Sequence, residues 1–293
     1  MHQSSPTSPA PAAEQTSLWP RRVLPPLLAE LRSPFELATL RHFPPLKRRP
    51  LPTGDGRPVL LIPGLLAGDT SMRWLSTFLR QLGYTPCRAG IRCNADCSEQ
   101  AVARLLIRVE RLVASHEQPV AIVGHSRGGL YGRVIACRRP DLVAGLITLG
   151  SPQRDQLAVH PLLWAQLFLL GSLGSLGAPG LARLGCGSGT CCAAFREDLA
   201  GPLPASVECL SIYSQRDGIV DWQACLDSAG RHAEVTASHC GMGVHSEVFG
   251  VIAAELARLG RGPGVNAAGG TRRETDAHTT KGSEQGALAA AGA

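Results

Sequence analysis

Short apolar runs that alternate with helical stretches constrain the fold of this 293-residue chain more than any other feature. Four runs of four or five residues are predominantly apolar, as expected of strands that are buried on both faces of a parallel sheet. They are Val59–Ile62, Val120–Val123, Leu146–Leu149 and Cys209–Tyr213. Segments with helical periodicity separate them. This alternation requires right-handed crossovers, and it predicts an α/β fold with a doubly wound, mostly parallel sheet.

The two ends of the chain differ in composition from its middle. Residues 1–20 and 262–293 are rich in Pro, Ser, Ala, Gly and Thr and lack apolar periodicity, so we expect disordered tails there. Residues 21–261 are predicted to form one domain. Apolar residues at helical spacing within 24–40 predict one or two helices before the first strand.

The charge and the N-terminus bear on partners and location. Most of the excess behind the net charge of +6 lies in the first 50 residues, so no basic face for nucleic acid is indicated. The basic cluster 47–49 leaves transient contact with an anionic membrane surface open. No secretory signal precedes the domain, so a cytoplasmic location is the default expectation. The oligomeric state is left open.

Ten cysteines are many for a cytoplasmic enzyme. Export by a route other than a signal peptide is therefore an alternative. Cys93 with Cys97, and Cys186 with Cys191 or Cys192, are close enough along the chain to form local disulfides. A zinc site of the usual kind would need short pairs such as C-x2-C, whereas these pairs are separated by three to five residues. We therefore expect no metal.

A glycine-rich turn follows the second predicted strand. Residues 124–128 read Gly-His-Ser-Arg-Gly, and a helix is predicted from Leu130. A serine on a tight strand-to-helix turn stands clear of its backbone, and Gly124 and Gly128 let neighbouring backbone approach it. The pattern predicts Ser126 as a nucleophile. An incidental serine in a glycine-rich turn is the alternative.

An oxyanion formed at Ser126 would need two fixed N–H donors. The Arg127 N–H, at the head of the helix, is predicted to be one of them, because the first N–H groups of a helix have no partner within it. The turn at 63–68 is predicted to supply the other from Leu65, since Gly64 permits a tight backbone path. A purely structural turn is the alternative there.

A nucleophilic serine also needs a histidine that accepts its proton and an acidic residue that orients this histidine and stabilises its charge. The expected chain order is serine, acid, histidine. Asp217 follows the fourth predicted strand on a loop that Gly218 can turn, so Asp217 is the predicted acid. Asp221 is the runner-up, and Asp155, after the third strand, is a more distant third.

Three histidines, at 232, 239 and 245, follow the proposed acid and precede the tail. Val235–Thr236 is predicted as a short last strand, which places His239 in a loop before the final helix, Glu247–Leu259. A base belongs in such a loop. His239 is therefore predicted as the base, in preference to His245 near the start of that helix.

Five segments carry the turns and candidate residues described above: Val59–Gly68, Gly124–Gly129, Leu149–Pro152, Tyr213–Asp221 and Ser238–Met242. Together they resemble a bacterial α/β-hydrolase of the lipase and esterase branch, over about residues 55 to 260. The resemblance implies hydrolysis of a small-molecule or lipid ester through an acyl-enzyme, with a Ser126-His239-Asp217 triad and no cofactor. One position departs from the pattern: Pro63 stands where lipases of this branch often carry His.

An uncharged stretch extends from His160 to Ala182. Gly and Pro interrupt it and it lies between two strands of one sheet, so no membrane span is predicted. The resemblance implies that the surrounding insert, about residues 153–207, forms an apolar helical cap over the active site. A helix buried in the core is the alternative for Pro161–Leu170.

Three functions agree with these residues. Hydrolysis of carboxylic esters is the leading interpretation. An acyltransferase or thioesterase would use the same triad with another acceptor or leaving group. A non-catalytic binding protein on the same fold is a third class, and the presence of all three triad residues argues against it.

Overall fold

A computed structural model describes residues 28, 30–32, 35, 36, 38, 53–228 and 230–261. All of these except Arg261 belong to one unit, Met1–Gly260. The predicted tails and the basic cluster at 47–49 lie outside the described residues. From the predicted N-terminal helices, the structure describes a short 3-10 helix, Glu30–Arg32, and helical backbone at 35, 36 and 38.

The described strands form one parallel sheet of six in the order β2-β1-β3-β4-β5-β6. They are β1 Pro58–Ile62, β2 Thr85–Arg88, β3 Val120–His125, β4 Val143–Leu149, β5 Cys209–Tyr213 and β6 Arg231–Glu234. The four predicted apolar strands are confirmed and lie side by side in the middle. The prediction of the last strand at Val235–Thr236 was wrong, because the edge strand β6 precedes it and carries mainly exposed side chains.

Seven α-helices connect and flank the described strands. They are α1 Arg73–Gln81, α2 Ser98–His116, α3 Arg127–Arg138, α4 Pro161–Ser175, α5 Gly185–Ser188, α6 Ala193–Ala200 and α7 Ser246–Gly260. The last one confirms the predicted final helix. Short 3-10 helices occur at Asp69–Met72, Pro140–Leu142, Thr190–Cys192, Trp222–Cys225 and Cys240–Gly243.

The hydrophobic core has two layers, one on each face of the sheet, because successive side chains of a strand point to opposite faces. Leu60 and Ile62 of β1 face a layer built with helices α2, α3 and α6. Val59 and Leu61 of the same strand face a second layer built with α1 and α7. Because successive side chains of a strand point to opposite faces, a strand buried on both faces must be apolar at every position. The two layers confirm the doubly wound α/β architecture.

The connection between β4 and β5 contains α4, α5 and α6. Only Gly171 and Gly174 are buried in α4, while Leu162, Phe168 and Leu169 are more than half exposed. This helix is therefore not part of the hydrophobic core, which was the alternative for Pro161–Leu170. No helix among the described residues is long and apolar enough to cross a membrane.

Candidate active site

Ser126 is the single residue between β3 and α3. Its backbone has φ 52° and ψ −119°, and its N–H donates to the Leu149 carbonyl at 2.8 Å. A Cβ added at Gly124 would lie 2.5 Å from the backbone nitrogen of Gly129, and one at Gly128 would lie 2.3 Å from the Ile62 carbonyl oxygen. Larger residues at either position would push the turn apart, which explains the spacing of the motif.

The turn at 63–68, after β1, passes beside Ser126. A Cβ added at Gly64 would lie 3.3 Å from the Ser126 Cβ, and Leu65 and Ser126 line the same cavity. Within the described part of the chain, neither the Leu65 N–H nor the Arg127 N–H donates to a backbone carbonyl. Both predicted oxyanion residues line the same cavity as Ser126.

Asn94 fixes this turn, and no sequence pattern had singled it out. Its buried side chain donates to the Pro63 carbonyl at 2.8 Å and accepts from the Tyr131 hydroxyl at 3.1 Å. Its backbone N–H donates to the Ala67 carbonyl at 2.9 Å, and its own carbonyl accepts the Leu66 N–H at 3.0 Å. The turn is thus held from both ends by one residue of the loop after β2.

The Arg127 side chain ties the same loop to the start of α3. Its guanidinium donates to the carbonyls of Asn94 and Asp96 at 3.2 and 2.7 Å, and to the Ser98 hydroxyl at 3.0 Å. It also lies over the Tyr131 ring, 5.3 Å from its centroid. Hydrogen bonds to backbone carbonyls therefore orient this arginine side chain and connect the loop after β2 to the start of α3.

Asp217 and His239 form a buried pair. The His239 Nδ1 lies 2.6 Å from the Asp217 Oδ2, and the other carboxylate oxygen accepts the N–H groups of Ile219 and Val220 at 2.8 and 2.7 Å. Burial opposes protonation of His239, but the Asp217 and Glu30 carboxylates outweigh it and raise the pKa of the imidazole. A carboxylate on Nδ1 fixes the tautomer and leaves Nε2 free to act as a base.

The alternative residues lie elsewhere. Asp221 caps the short helix Trp222–Cys225 by accepting the Gln223 N–H at 2.9 Å. Asp155 is exposed and accepts the Leu157 N–H at 2.8 Å. The His245 Nδ1 accepts the Glu247 N–H at 3.3 Å at the start of α7. The structure therefore pairs Asp217 with His239 rather than any of these.

A cavity of about 350 Å³ opens beside Ser126. Leu163, Leu167 and Leu170 of α4 line it, together with Leu65 and Arg127. Most of the remaining lining is also apolar. Its shape and lining are suited to an apolar ligand whose reactive group lies at Ser126.

Solved structures share this architecture. The mature Bacillus licheniformis lipase BlEst2 is 15% identical, with a TM-score of 0.55 over 70% of this chain and 94% of that chain. A Paleococcus ferrophilus monoacylglycerol lipase is 15% identical, with a TM-score of 0.50 over 71% and 97% of the two chains. The α/β hydrolase MGS-MChE2, from a lagoon-sediment metagenome, is 16% identical, with a TM-score of 0.51 over 71% and 94%. This chain has the α/β-hydrolase fold. No family model matches its sequence.

A second histidine, His125, contacts His239. The His125 ring lies 5.0 Å from the His239 ring, centroid to centroid, and its Nε2–H donates to the His239 carbonyl at 2.9 Å. Burial, and then the charge that His239 gains on protonation, lower the pKa of His125 to about 4. His125 is therefore neutral at pH 7, and it connects the backbone just before Ser126 directly to His239.

Two acidic residues of the N-terminal segment hold the His239 loop. Glu30 accepts the N–H groups of Gly218, His239 and Cys240 at 3.1, 2.9 and 2.8 Å. Glu36 accepts the Ser238 N–H at 2.8 Å and the Ser238 hydroxyl at 2.6 Å. About 200 residues separate these acids from the loop, so no local pattern in the sequence could have indicated them.

Proposed function

We propose that this chain is a serine hydrolase that cleaves carboxylic esters with an apolar acyl group, through an acyl-enzyme on Ser126. The observation that carries the proposal is the buried Asp217-His239 pair, which His125 connects to the sharp strand-to-helix turn that carries Ser126. Nothing in the packing of a binding protein requires these three groups together, whereas nucleophilic catalysis does.

In the proposed reaction, His239 takes the proton of the Ser126 hydroxyl through Nε2 as the serine oxygen attacks the ester carbonyl carbon. Asp217 stabilises the imidazolium that forms. The carbonyl oxygen becomes an oxyanion and accepts the N–H groups of Leu65 and Arg127. The proton on His239 then passes to the leaving alcohol as the ester bond breaks.

Hydrolysis of the acyl-enzyme repeats these steps with water. His239 deprotonates the water, whose oxygen attacks the acyl carbon, and the proton returns to Ser126 as the carboxylic acid leaves. The apolar lining supplied by α4 is consistent with an apolar acyl chain. Two of the similar structures are a lipase and a monoacylglycerol lipase, which agrees with an ester substrate.

A fluorophosphonate probe tests the proposal, because such probes label only activated serines. The wild-type chain should be labelled at Ser126, and Ser126→Ala should lose both the label and on the order of 10³-fold or more in kcat. Ser115→Ala is the matched control, since Ser115 is exposed on α2, outside the cavity. Turnover that survives in Ser126→Ala would exclude this nucleophile, and a wild-type chain that takes no label would favour a binding protein.

The same preparation separates the related chemistries. Oxygen esters and thioesters of equal acyl length should be compared, each with and without an added alcohol acceptor. We expect faster turnover of the oxygen ester and the free acid as the main product. Preferential transfer to the alcohol, or a strong preference for the thioester, would reassign the acyl-enzyme to an acyltransferase or a thioesterase.

A further inference from the structure

Four cysteine sulfur atoms meet at the edge of the cavity, at a place with no role in the proposed reaction. Cys97 lies before α2, Cys186 in α5, and Cys191 and Cys192 in the 3-10 helix that follows. We call them the four-cysteine cluster. All four Sγ atoms lie within 4.8 Å of one another. The fold therefore brings together residues separated by up to 95 positions.

The distances between the sulfur atoms fit a metal better than disulfides. They are 3.4 Å between Cys97 and Cys192, 3.5 Å between Cys186 and Cys191, and 3.9 Å between Cys191 and Cys192. A disulfide would need about 2.05 Å. Four thiolates at about 2.3 Å from one tetrahedral zinc ion stand about 3.8 Å from one another. All ten cysteines are free thiols in the structure, including the predicted pair Cys93 and Cys97.

The backbone around the four-cysteine cluster is already fixed. The Arg196 guanidinium donates to the carbonyls of Gly187 and Gly189 at 3.2 and 2.7 Å, and to those of Cys186 and Ser188 at 3.4 and 3.3 Å. These bonds hold the short loop that carries three of the four sulfurs. The N–H groups of Glu99 and Gln100, at the start of α2, contact the Cys97 sulfur. Donors of this kind stabilise thiolate ligands and orient them.

We propose that the four-cysteine cluster binds one zinc ion as a structural site. Binding releases four thiol protons and leaves a Zn(Cys)4 centre of net charge −2, which the neighbouring Arg196 guanidinium partly offsets. Four protein ligands close the coordination shell of zinc, so the ion has no position open for catalysis. Sequence spacing could not reveal the site, because Cys97 comes from a distant loop and is not part of a C-x2-C pair.

The position of the site gives the ion a mechanical role. Cys186 and Cys192 line the cavity beside Ser126, and so does Ser98, the residue after Cys97. Zinc would join the start of α2 to the insert between β4 and β5, and would fix one wall of the cavity. Because an ion that binds only the folded chain stabilises that chain, its removal should lower the melting temperature.

Metal content of the full chain, purified with a non-chelating reductant, tests the proposal. We expect one zinc ion per chain by elemental analysis, with loss of the ion in Cys191→Ser and retention in the matched control Cys137→Ser. Chelation should lower the melting temperature by about 5 °C or more in the wild type. It should have little effect on Cys191→Ser.

Two measurements on the wild type keep the test independent of whether a variant folds. Cobalt added to the reduced, metal-free chain should give the intense visible bands of a tetrahedral thiolate complex. Zinc should protect up to four thiols from a disulfide reagent. A reduced chain that binds neither zinc nor cobalt would overturn the proposal. So would zinc that Cys191→Ser retains in full.

Discussion

Asp217 and Asp221 stand four residues apart on the loop after β5, yet their carboxylates have different partners. Asp217 accepts two backbone N–H groups and contacts His239, whereas Asp221 caps a short helix. Burial raises the pKa of Asp221, and the negative charges of Asp155 and Asp217 add to this effect. Of these two carboxylates, Asp217 is the one that contacts His239, the proposed base.

Asn substitutions should therefore separate the two acids. Asp217→Asn removes the charge that fixes the His239 tautomer, and should lower kcat by about 10³-fold or more. Asp221→Asn keeps a side-chain oxygen that can still cap the helix, and should change kcat much less. Steady-state kinetics on one ester substrate decides between them. The opposite order of losses would move the acid to Asp221.

The pH profile depends on Glu30, whose carboxylate helps raise the pKa of His239. His239 acts as a base only when it is neutral, so activity should fall as the pH drops through this pKa. Glu30→Gln removes a negative charge, which lowers the pKa of His239 and should move the acid limb of kcat/KM to lower pH. Glu234→Gln, at an exposed position on β6, is the control. An acid limb that stays in place in Glu30→Gln would show that this charge does not act on the base.

The sequence could indicate Ser126 because the residues that shape its turn are its immediate neighbours. Asp217 and His239 followed from their order along the chain and from their position after strands. Asn94, Glu30 and Glu36 act through contacts with residues far away in the sequence. Asn94 is 27 positions from Ala67, and Glu36 is about 200 positions from Ser238. Their residue types are ordinary for a loop or a helix, so nothing local marks them.

Among the secondary-structure elements, the strands that could be predicted from the sequence are those with side chains buried on both faces of the sheet. β1, β3, β4 and β5 are central, and each is apolar along most of its length. β2 and β6 are edge strands of four residues with few buried side chains. Pairing with a single neighbour holds an edge strand without requiring it to be apolar, so its composition carries little signal.

Helix α4 offers a test of the cavity wall. Leu163, Leu167 and Leu170 line the cavity, whereas Leu162 and Leu169 on the same helix do not. Serine at the three lining positions should shift preference towards shorter acyl chains, because each buried methylene contributes about 0.8 kcal/mol. The melting temperature should change only modestly, since α4 buries little beyond two glycines.

Serine at Leu162 and Leu169 provides the matched control, because these positions share the helix, are more than half exposed and do not line the cavity. The control should keep the chain-length profile of the wild type. Turnover of esters with short, medium and long acyl chains measures the effect. A large fall in melting temperature with an unaltered profile in the lining variant would mean that α4 supports the fold rather than the acyl chain.

For the molecule as a whole, a parallel sheet explains why distant residues meet. The carboxyl ends of parallel strands lie along one edge of the sheet, so the loops after β1, β3, β5 and β6 converge there. This convergence could be expected once alternation of strands and helices was recognised. The contacts of Glu30, Glu36 and the insert with that edge depend on side chains from distant parts of the chain. No periodicity in the sequence records such contacts.

The positive φ of Ser126 has a consequence for thermostability. A residue with a Cβ is strained at φ 52° and ψ −119°, whereas glycine adopts such a conformation freely. Both Ser126→Gly and Ser126→Ala lack the hydroxyl, but Ser126→Gly should be more stable, by about 1 kcal/mol or 2–4 °C in melting temperature. Calorimetry of the two variants measures this difference, and an equal or lower melting temperature for Ser126→Gly would show that the turn is unstrained. A selection for heat resistance alone would therefore favour loss of the nucleophile, and only a simultaneous demand for turnover would keep serine at this position.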